Sequence, residues 1–529
     1  MVVPELRPWR AARPRVARIV TAVRPSLARA VTAARPRIAR LTEAVRVRPV
    51  HLPRPRTVRT WQYTAGAATA GLALAAGVVT VAGPWDANGQ RTAERDRAAA
   101  LERSGGADHG RSGTAARVPR PAPSAAPVLT GLGSATGAVG TKETSPDAKA
   151  LSDVLGPLLD APALGRSHAA AVVDVTTGER LYGADAGKAL TPASTTKIAT
   201  AVAALSALGP DHRLTTRTAL EPDTRELVLV GGGDPTLTAH AEAGGWAGLR
   251  ALAADTAKAL GERGIHKITL SYDTTLFTGP ALHPIGVNDN LAPISALTVD
   301  EGRTDASTSG PAPRVGDPAA AAAARFASFL KDAGITTTAP GPSKASTRAE
   351  TLATVSSPPL SELVERMLTN SDNDIAEALA RHTALASGQP AGFDGGARAI
   401  ATQLRKLGLP MTGAVFHDGS GLNRDDRLTA DLLTALLVKA GDPRRPGLRP
   451  VLTGLPVAGF TGTLSTRYTD GASGLVRAKT GTLTGVNTLA GTVVDRTGRL
   501  LAFAFLASDT TNPLEAQSAL DKAATALAG

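Results

Sequence analysis

The chain has 529 residues, of which 43% are hydrophobic and 20% charged, and its net charge is +12. The charge is unevenly placed, because residues 1–60 hold 15 arginines and two acidic residues, whereas the other 469 residues carry 43 basic and 44 acidic side chains. A near-neutral remainder gives no support for nucleic-acid binding by the folded part. The absence of cysteine excludes disulfides and thiol catalysis, and the nine histidines show no HExxH spacing. Neither a metal nor a cofactor is therefore predicted.

The N-terminal region predicts a membrane anchor. Residues 1–60 form an arginine-rich arm that contains three related units of eleven residues. From Thr60 to Trp85 no residue is charged, and aromatic residues lie at both ends, as in a segment that spans a bilayer. We predict a transmembrane signal anchor over 61–85, with the arm in the cytoplasm and the catalytic part outside the cell membrane. The alternative is secretion after cleavage, since Thr80-Val-Ala82 resembles a signal-peptide cleavage site.

The remainder of the chain divides by its sequence pattern. Residues 86–145 are rich in Gly, Ala, Pro and Ser and predict a flexible linker. Helical and strand patterns over 146–213 and 350–529 predict one catalytic domain of α/β class, with a hairpin near its start and another near its end. Between them, 214–349 alternates short strands with helices and predicts an inserted α/β domain.

The stretch TPASTTKIAT holds the first candidate site, with Lys197 one helical turn after Ser194. Side chains at this spacing share a helix face, so the lysine can take the serine proton. The alternative is a serine helix cap with a solvated lysine. Ser328 and Lys331 repeat the spacing, but they fall near the end of a helical pattern, where we expect ordinary surface. Ser194 opens its helix, so its backbone N–H and the helix dipole would lie near an oxyanion.

Two further motifs follow in the chain. Ser371-Asp372-Asn373 lies between two apolar helical patterns, and Lys479-Thr480-Gly481-Thr482 lies on a predicted strand, where Gly481 permits close approach of a ligand. Alone, the first is explained by a helix cap and the second by a turn. Their occurrence in this order, in a chain with only 12 lysines, makes the combination specific.

The three motifs resemble those of the low-molecular-mass class C penicillin-binding proteins, the D-alanyl-D-alanine carboxypeptidases and endopeptidases. The resemblance runs from roughly Asp147 to the C-terminus and includes LVGGGDPTL at 229–237, HDGSGLNRDDRLT at 417–429 and GTLSTR at 462–467. It implies a serine penicillin-recognising fold, in which a helical subdomain lies beside a five-stranded antiparallel sheet. The interval from 197 to 371 is long enough for one inserted domain, with a second absent or shortened.

The resemblance also assigns the nucleophile and the groups that move protons. Ser194 would form the acyl-enzyme, and Lys197 would be its general base if burial and the nearby charge of Lys479 lower the pKa of its amine. Ser371 would relay the proton toward the leaving amine. Asn373 would hold the substrate amide.

The third motif would bind the end of the substrate. Lys479, Thr480 and Thr482 would receive the terminal carboxylate, with Gly481 between them. The backbone N–H groups of Ser194 and Thr482 would form the oxyanion hole. The implied partners are peptidoglycan stem peptides, with β-lactams as inhibitors of the same serine.

The expected activity is that of a serine-type D-alanyl-D-alanine carboxypeptidase, and endopeptidase action stays open because it uses the same residues. A class A-like β-lactamase shares the motifs but needs a glutamate between the second and third to activate water. The only glutamate there is Glu377, which is not in an ExxLN context. A non-catalytic wall-binding protein is the other alternative, but a broken motif would then be expected and none is broken.

Overall fold

The computed structural model describes residues 148–468 and 471–529. The predicted arm, membrane span and linker, residues 1–145, lie outside the described residues, so these assignments stay predictions. Within the described part of the chain, no helix is long and apolar enough to cross a membrane.

The described residues alternate between strands and helices. The strands are β1 (Ser167–Asp174), β2 (Arg180–Ala184), β3 (Thr215–Leu220), β4 (Glu226–Val230), β5 (Lys267–Asp273), β6 (Thr336–Thr337), β7 (Gly341–Pro342), β8 (Glu350–Ser356), β9 (Val476–Leu483), β10 (Val486–Val494) and β11 (Leu500–Ser508). The helices are α1 (Ala148–Leu159), α2 (Thr196–Leu208), α3 (Leu249–Glu262), α4 (Pro318–Asp332), α5 (Leu360–Asn370), α6 (Asn373–Ala386), α7 (Phe393–Lys406), α8 (Ala430–Gly441), α9 (Pro450–Thr453) and α10 (Pro513–Ala528).

The first sheet is five-stranded and antiparallel throughout, in the order β2-β1-β11-β10-β9. Both of its faces are covered, which explains why β11 is a nearly continuous apolar run. Ala502, Ala504 and Leu506 belong to a core with α2 and α8, whereas Phe503 and Phe505 belong to a second core with α1 and α10. The five-stranded antiparallel sheet implied by the resemblance is confirmed.

A second, mixed sheet contains β6-β5-β4-β3-β8, and β7 also pairs with β5. Its β4-α3-β5 unit joins two parallel strands through a helix, and α3 and α4 bury their apolar sides in a third core with the sheet. From the sequence pattern we predict an inserted α/β domain over 214–349, the interval in which most of this sheet lies. The last strand of the sheet, β8, pairs with β3 and extends the sheet to Ser356. The pairing joins residues far apart in sequence, which local patterns do not reveal.

The helical layer is built around α2. Every residue from Thr196 to Leu205 is buried, so this helix is enclosed on all sides rather than on one face. It packs against α5, α6, α7 and α8. The helix that follows Ser194 is thus fixed in position by the core.

We expect Phe503→Ala to lower the free energy of unfolding by about 3–5 kcal/mol, because the ring is fully buried and its loss leaves a cavity. Phe460→Ala is the matched control, since its ring is 68% exposed, and its effect should stay within about 0.5 kcal/mol. Denaturant unfolding measures both values. Equal losses for the two variants would contradict the packing described for β11.

Candidate active site

The three motifs predicted from the sequence line one cleft of about 300 Å³. The six motif residues in its wall are Ser194, Ser371, Asp372, Asn373, Thr480 and Thr482. The inserted unit supplies further wall residues, including Asn290 and Arg314. The fold therefore brings three motifs that are distant in sequence into one cleft, as the resemblance implies.

Ser194 lies in a short 3-10 turn, Ala193–Thr195, and α2 begins directly after it. Ala193 has a φ of 48°, a left-handed conformation that costs free energy in a residue other than glycine. The carbonyl of Pro192 accepts hydrogen bonds from the hydroxyls of Thr195 at 2.7 Å and Thr488 at 2.8 Å. These bonds hold the strained turn and leave Ser194 partly exposed to the cleft.

Gly481 allows this turn to lie close to β9. A Cβ atom at position 481 would come within 2.7 Å of the Pro192 carbonyl oxygen and 2.1 Å of Thr488 Oγ1. Only glycine fits without moving these groups. The third motif therefore approaches Ser194 because it lacks a side chain at its centre.

Lys197 is fully buried, and its Nζ makes three hydrogen bonds. The partners are Ser194 Oγ at 2.9 Å, Asn373 Oδ1 at 2.7 Å and the Ser420 carbonyl oxygen at 2.7 Å. The last two oxygens can only accept, so the two hydrogens of a neutral amine must point at them. The remaining lone pair of Nζ then faces the hydroxyl of Ser194, which is the orientation of a general base.

Burial is the main cause that lowers the pKa of Lys197 to about 8, and nearby carboxylates, Asp418 first, oppose it. From the sequence we expect the charge of Lys479 to lower the pKa of Lys197, but the pKa that this interaction lowers is that of Lys479. Its pKa is held well below the usual value by burial and then by the charge of Lys197. A carboxylate placed beside Lys479 would reverse this shift.

Ser371 ends α5 in a left-handed conformation, with a φ of 59°, and its Oγ accepts a hydrogen bond from Lys479 Nζ at 2.8 Å. Asp372 caps α6 by accepting the N–H of Ile375 at 3.0 Å. The helix-cap explanation of this motif is therefore correct for its middle residue. Because the chain turns here, the residues on either side of the cap reach the cleft.

Asn373 has partners at both ends of its amide. Its Oδ1 accepts from Lys197, and its Nδ2 donates to the Asn290 carbonyl oxygen at 2.9 Å. Asn373 therefore orients the lysine and joins the inserted unit to the cleft, contacts that the sequence did not predict. The second N–H of the amide is the one left for a ligand.

Sequence reasoning missed the loop of residues 417–426, although it noted the HDGSGLNRDD pattern there. Glu377 is completely buried, and its Oε1 accepts the backbone N–H groups of Gly419 at 3.0 Å and Ser420 at 2.9 Å. Its other oxygen pairs with Arg381.

Among the described residues no glutamate lines the cleft. Glu377 therefore holds a loop and is not placed to activate water as in a class A β-lactamase.

The second Ser-Lys pair lies elsewhere. Ser328 and Lys331 are exposed on α4, where Asp317 caps the helix start. The prediction of ordinary surface is confirmed for this pair.

Comparison with known proteins agrees with this geometry. A family model described as the D-Ala-D-Ala carboxypeptidase 3 (S13) family matches residues 150–314 and 305–527. A carboxypeptidase DacB of Mycolicibacterium smegmatis is 38% identical over 379 residues, which cover 69% of this chain and 81% of that protein. A D-alanyl-D-alanine carboxypeptidase of an Actinomadura species is 30% identical over 437 residues, covering 66% of this chain and 79% of the relative.

The crystal structure of penicillin binding protein 4 (dacB) from Haemophilus influenzae has a similar fold. The TM-score is 0.58 at 23% identity, and the match covers 71% of this chain and 98% of that one. The resemblance inferred from the motifs is confirmed, and the chain belongs to the D-Ala-D-Ala carboxypeptidase 3 (S13) family.

Proposed function

We propose that this protein acts as a serine D-alanyl-D-alanine carboxypeptidase, with Ser194 as the nucleophile and Lys197 as its general base. The observation that carries the proposal is the hydrogen bond of 2.9 Å between Lys197 Nζ and Ser194 Oγ. The lysine is buried, and its other two contacts are carbonyl oxygens, so its lone pair is directed at the serine hydroxyl. Family membership agrees with this activity.

The acylation step follows from these positions. Ser194 Oγ attacks the carbonyl carbon of the penultimate D-alanine while its proton moves to Lys197 Nζ. The peptide bond to the terminal D-alanine then breaks, and the proton that Lys197 took passes through Ser371 Oγ to the leaving nitrogen, so that Lys197 is neutral again. Lys479 Nζ donates a hydrogen bond of 2.8 Å to this Oγ and orients the hydroxyl. Water later hydrolyses the ester on Ser194 and regenerates the hydroxyl.

The third motif would bind the terminal carboxylate of the substrate. Lys479 is fully buried, and among its hydrogen-bond partners in the described structure there is no carboxylate. A substrate carboxylate at Thr480 and Thr482 would place a negative charge beside this amine and raise the pKa of Lys479. Substrates without that carboxylate should therefore bind poorly. The backbone N–H groups of Ser194 and Thr482 are the proposed oxyanion hole.

Muropeptide digestion tests the activity directly. The full-length protein should release one D-alanine from each stem that ends in D-Ala-D-Ala, as measured by mass spectrometry, and Ser194→Ala should release none. Cleaved cross-links in the same digest would add endopeptidase action. An intact substrate after incubation with the active protein would contradict the proposed function.

A fluorescent penicillin should label Ser194 covalently. β-Lactams resemble the D-Ala-D-Ala end in carrying a carboxylate next to a reactive amide, so the same cleft should accept them. Ser194→Ala should abolish the label, whereas Ser328→Ala, the same change in the exposed pair, should leave it intact. Label that persists in the first variant and disappears in the second would overturn the assignment.

Lys197→Ala should slow acylation about 100-fold to 10,000-fold, the usual cost of losing a general base. Lys331→Ala is the matched control and should acylate normally. In the unaltered protein the rate should rise as the pH passes through about 8, because the base must be neutral and burial lowers its pKa to about 8. Stopped-flow labelling across pH measures this, and a rate that falls through the same range would exclude Lys197 as the base.

A further inference from the structure

Two carboxyl groups that the acylation step does not use are buried next to the catalytic lysine. Asp418 is 1% exposed and Asp426 is 0% exposed, and both belong to the loop of residues 417–426. That loop touches Lys197 through the carbonyl oxygen of Ser420. Such deeply buried acids are rare unless each is paired or hydrogen-bonded.

Asp418 is surrounded by donors. Its carboxylate accepts the backbone N–H groups of Gly421 and Asn423, each at 2.7 Å, and the hydroxyl of Ser420 at 3.3 Å. Burial opposes its ionisation, but hydrogen bonds from His283, Asp426 and Gly421 outweigh burial and lower the pKa of Asp418. Asp418 is therefore an anion.

His283 donates a hydrogen bond to this anion through Nε2. Its Nδ1 accepts the backbone N–H of Ile285 at 3.2 Å, so the hydrogen of the neutral ring must sit on Nε2. Nε2 lies 3.0 Å from Asp418 Oδ2 and donates to it. His283 comes from the inserted unit, which thereby contacts the lysine loop.

Asp426 is the protonated partner. Its Oδ1 accepts the backbone N–H of His417 at 2.6 Å, whereas Oδ2 receives no N–H or O–H from the described residues. Burial and the negative charge of Asp418 raise the pKa of Asp426 to about 10. A proton on Asp426 then makes a hydrogen bond to Asp418, and the two carboxyl groups together hold one negative charge.

The same loop is held from its other side by Glu377. Glu377 accepts the backbone N–H groups of Gly419 and Ser420. These bonds hold the loop so that the Ser420 carbonyl oxygen accepts the hydrogen bond from Lys197 Nζ. Arg381 offsets the charge of Glu377. Among the carboxylates that raise the pKa of Lys197, Asp418 has the largest effect.

The alternative interpretation of this cluster is a metal site, since His283, Glu377 and Asp418 offer ligand atoms within 4.8 Å of one another. The hydrogen bonds argue against it. His283 Nε2 carries a hydrogen, and Glu377 Oε1 already accepts two backbone N–H groups. The cluster is satisfied as a hydrogen-bonded anion.

We propose that the Asp418–Asp426 carboxyl pair positions the lysine base. The pair orders the loop that presents the Ser420 carbonyl to Lys197. It also supplies one negative charge, which stabilises the positive charge that Lys197 gains when it takes the Ser194 proton. The inference rests on the proposed function. Both residues act through Lys197 and do not touch the substrate. The acidic groups that favour the charged form of Lys197 are Asp418, Asp372, Glu377 and Asp374.

The test removes the charge of the pair in the full-length protein. In Asp418→Asn/Asp426→Asn the pKa of Lys197 loses support, so the acid limb of the rate of penicillin acylation should move to lower pH by about 1 to 3 units. The plateau rate should also fall, because a weaker base accepts the serine proton less readily. Both carboxyls are replaced, since either one left alone could carry the charge.

Two variants serve as controls. Asp426→Asn should leave the limb in place, because its amide can donate to Asp418 as the carboxyl proton does. Asp425→Asn makes the same change in an exposed neighbour and should behave like the unaltered protein. The proposal is overturned if the double variant folds and the acid limb of its acylation rate stays at the original pH. It is also overturned if Asp426→Asn alone moves this limb as far as the double variant does.

A second measurement does not depend on the double variant folding. The infrared band of a protonated carboxyl group should be weaker in Asp426→Asn than in the unaltered protein at neutral pH. If no band is lost, the pair does not share a proton and the proposal fails. Absence of acylation in the unaltered protein would instead contradict the proposed function, so the two failures are distinguishable.

Discussion

The cleft depends on the burial of a lysine amine without an ion-pair partner. Lys197 Nζ is surrounded by a hydroxyl and two carbonyl oxygens, so the structure keeps its hydrogen bonds but provides no carboxylate in contact. Burial of a charge is costly, so burial lowers the pKa of the Lys197 amine to about 8, while nearby carboxylates limit the shift. Each of the three partners comes from a different part of the chain. The core of the helical layer therefore holds the buried lysine amine and its three partners in place.

Backbone strain lies beside the same group. Ala193 and Ser371 both have left-handed conformations, with φ values of 48° and 59°, although neither is glycine. Each costs about 1–3 kcal/mol and persists only where the surroundings enforce it. The hydrogen bonds to Pro192 enforce the first, and the junction of α5 with the capped start of α6 enforces the second. The strained backbone at Ala193 and at Ser371 thus places the hydroxyls of Ser194 and Ser371 in one cleft.

Sequence patterns predicted the parts of the site that depend on local chemistry. The order of the motifs, the helix after Ser194 and the glycine at 481 all follow from residue type and spacing. The contact between Lys197 and the Ser420 carbonyl does not, because it joins residues 223 positions apart through a backbone atom that has no sequence signature. The pairing of β8 with β3 is also absent from local patterns, because it joins strands that are far apart in the sequence.

The buried carboxyls illustrate a further limit of sequence reasoning. An Asp-Asp pair in a polar stretch such as LNRDDRLT is normally a solvated turn, and Asp425 conforms to that expectation. Asp426, the next residue, is fully buried. Only the three-dimensional surroundings separate the two, because burial removes water from one carboxyl and leaves the other hydrated.

The inserted unit forms part of the catalytic cleft. Asn290 accepts a hydrogen bond from Asn373, and Arg314 pairs with Asp374 at 2.8 Å. His283 reaches the lysine loop through Asp418. Asn373 and Ser420 are two of the three partners of Lys197, and the insert contacts the first directly and the loop of the second through Asp418. The position of the Lys197 amine therefore depends on the insert as well as on the helical layer, and the three motifs alone do not produce it.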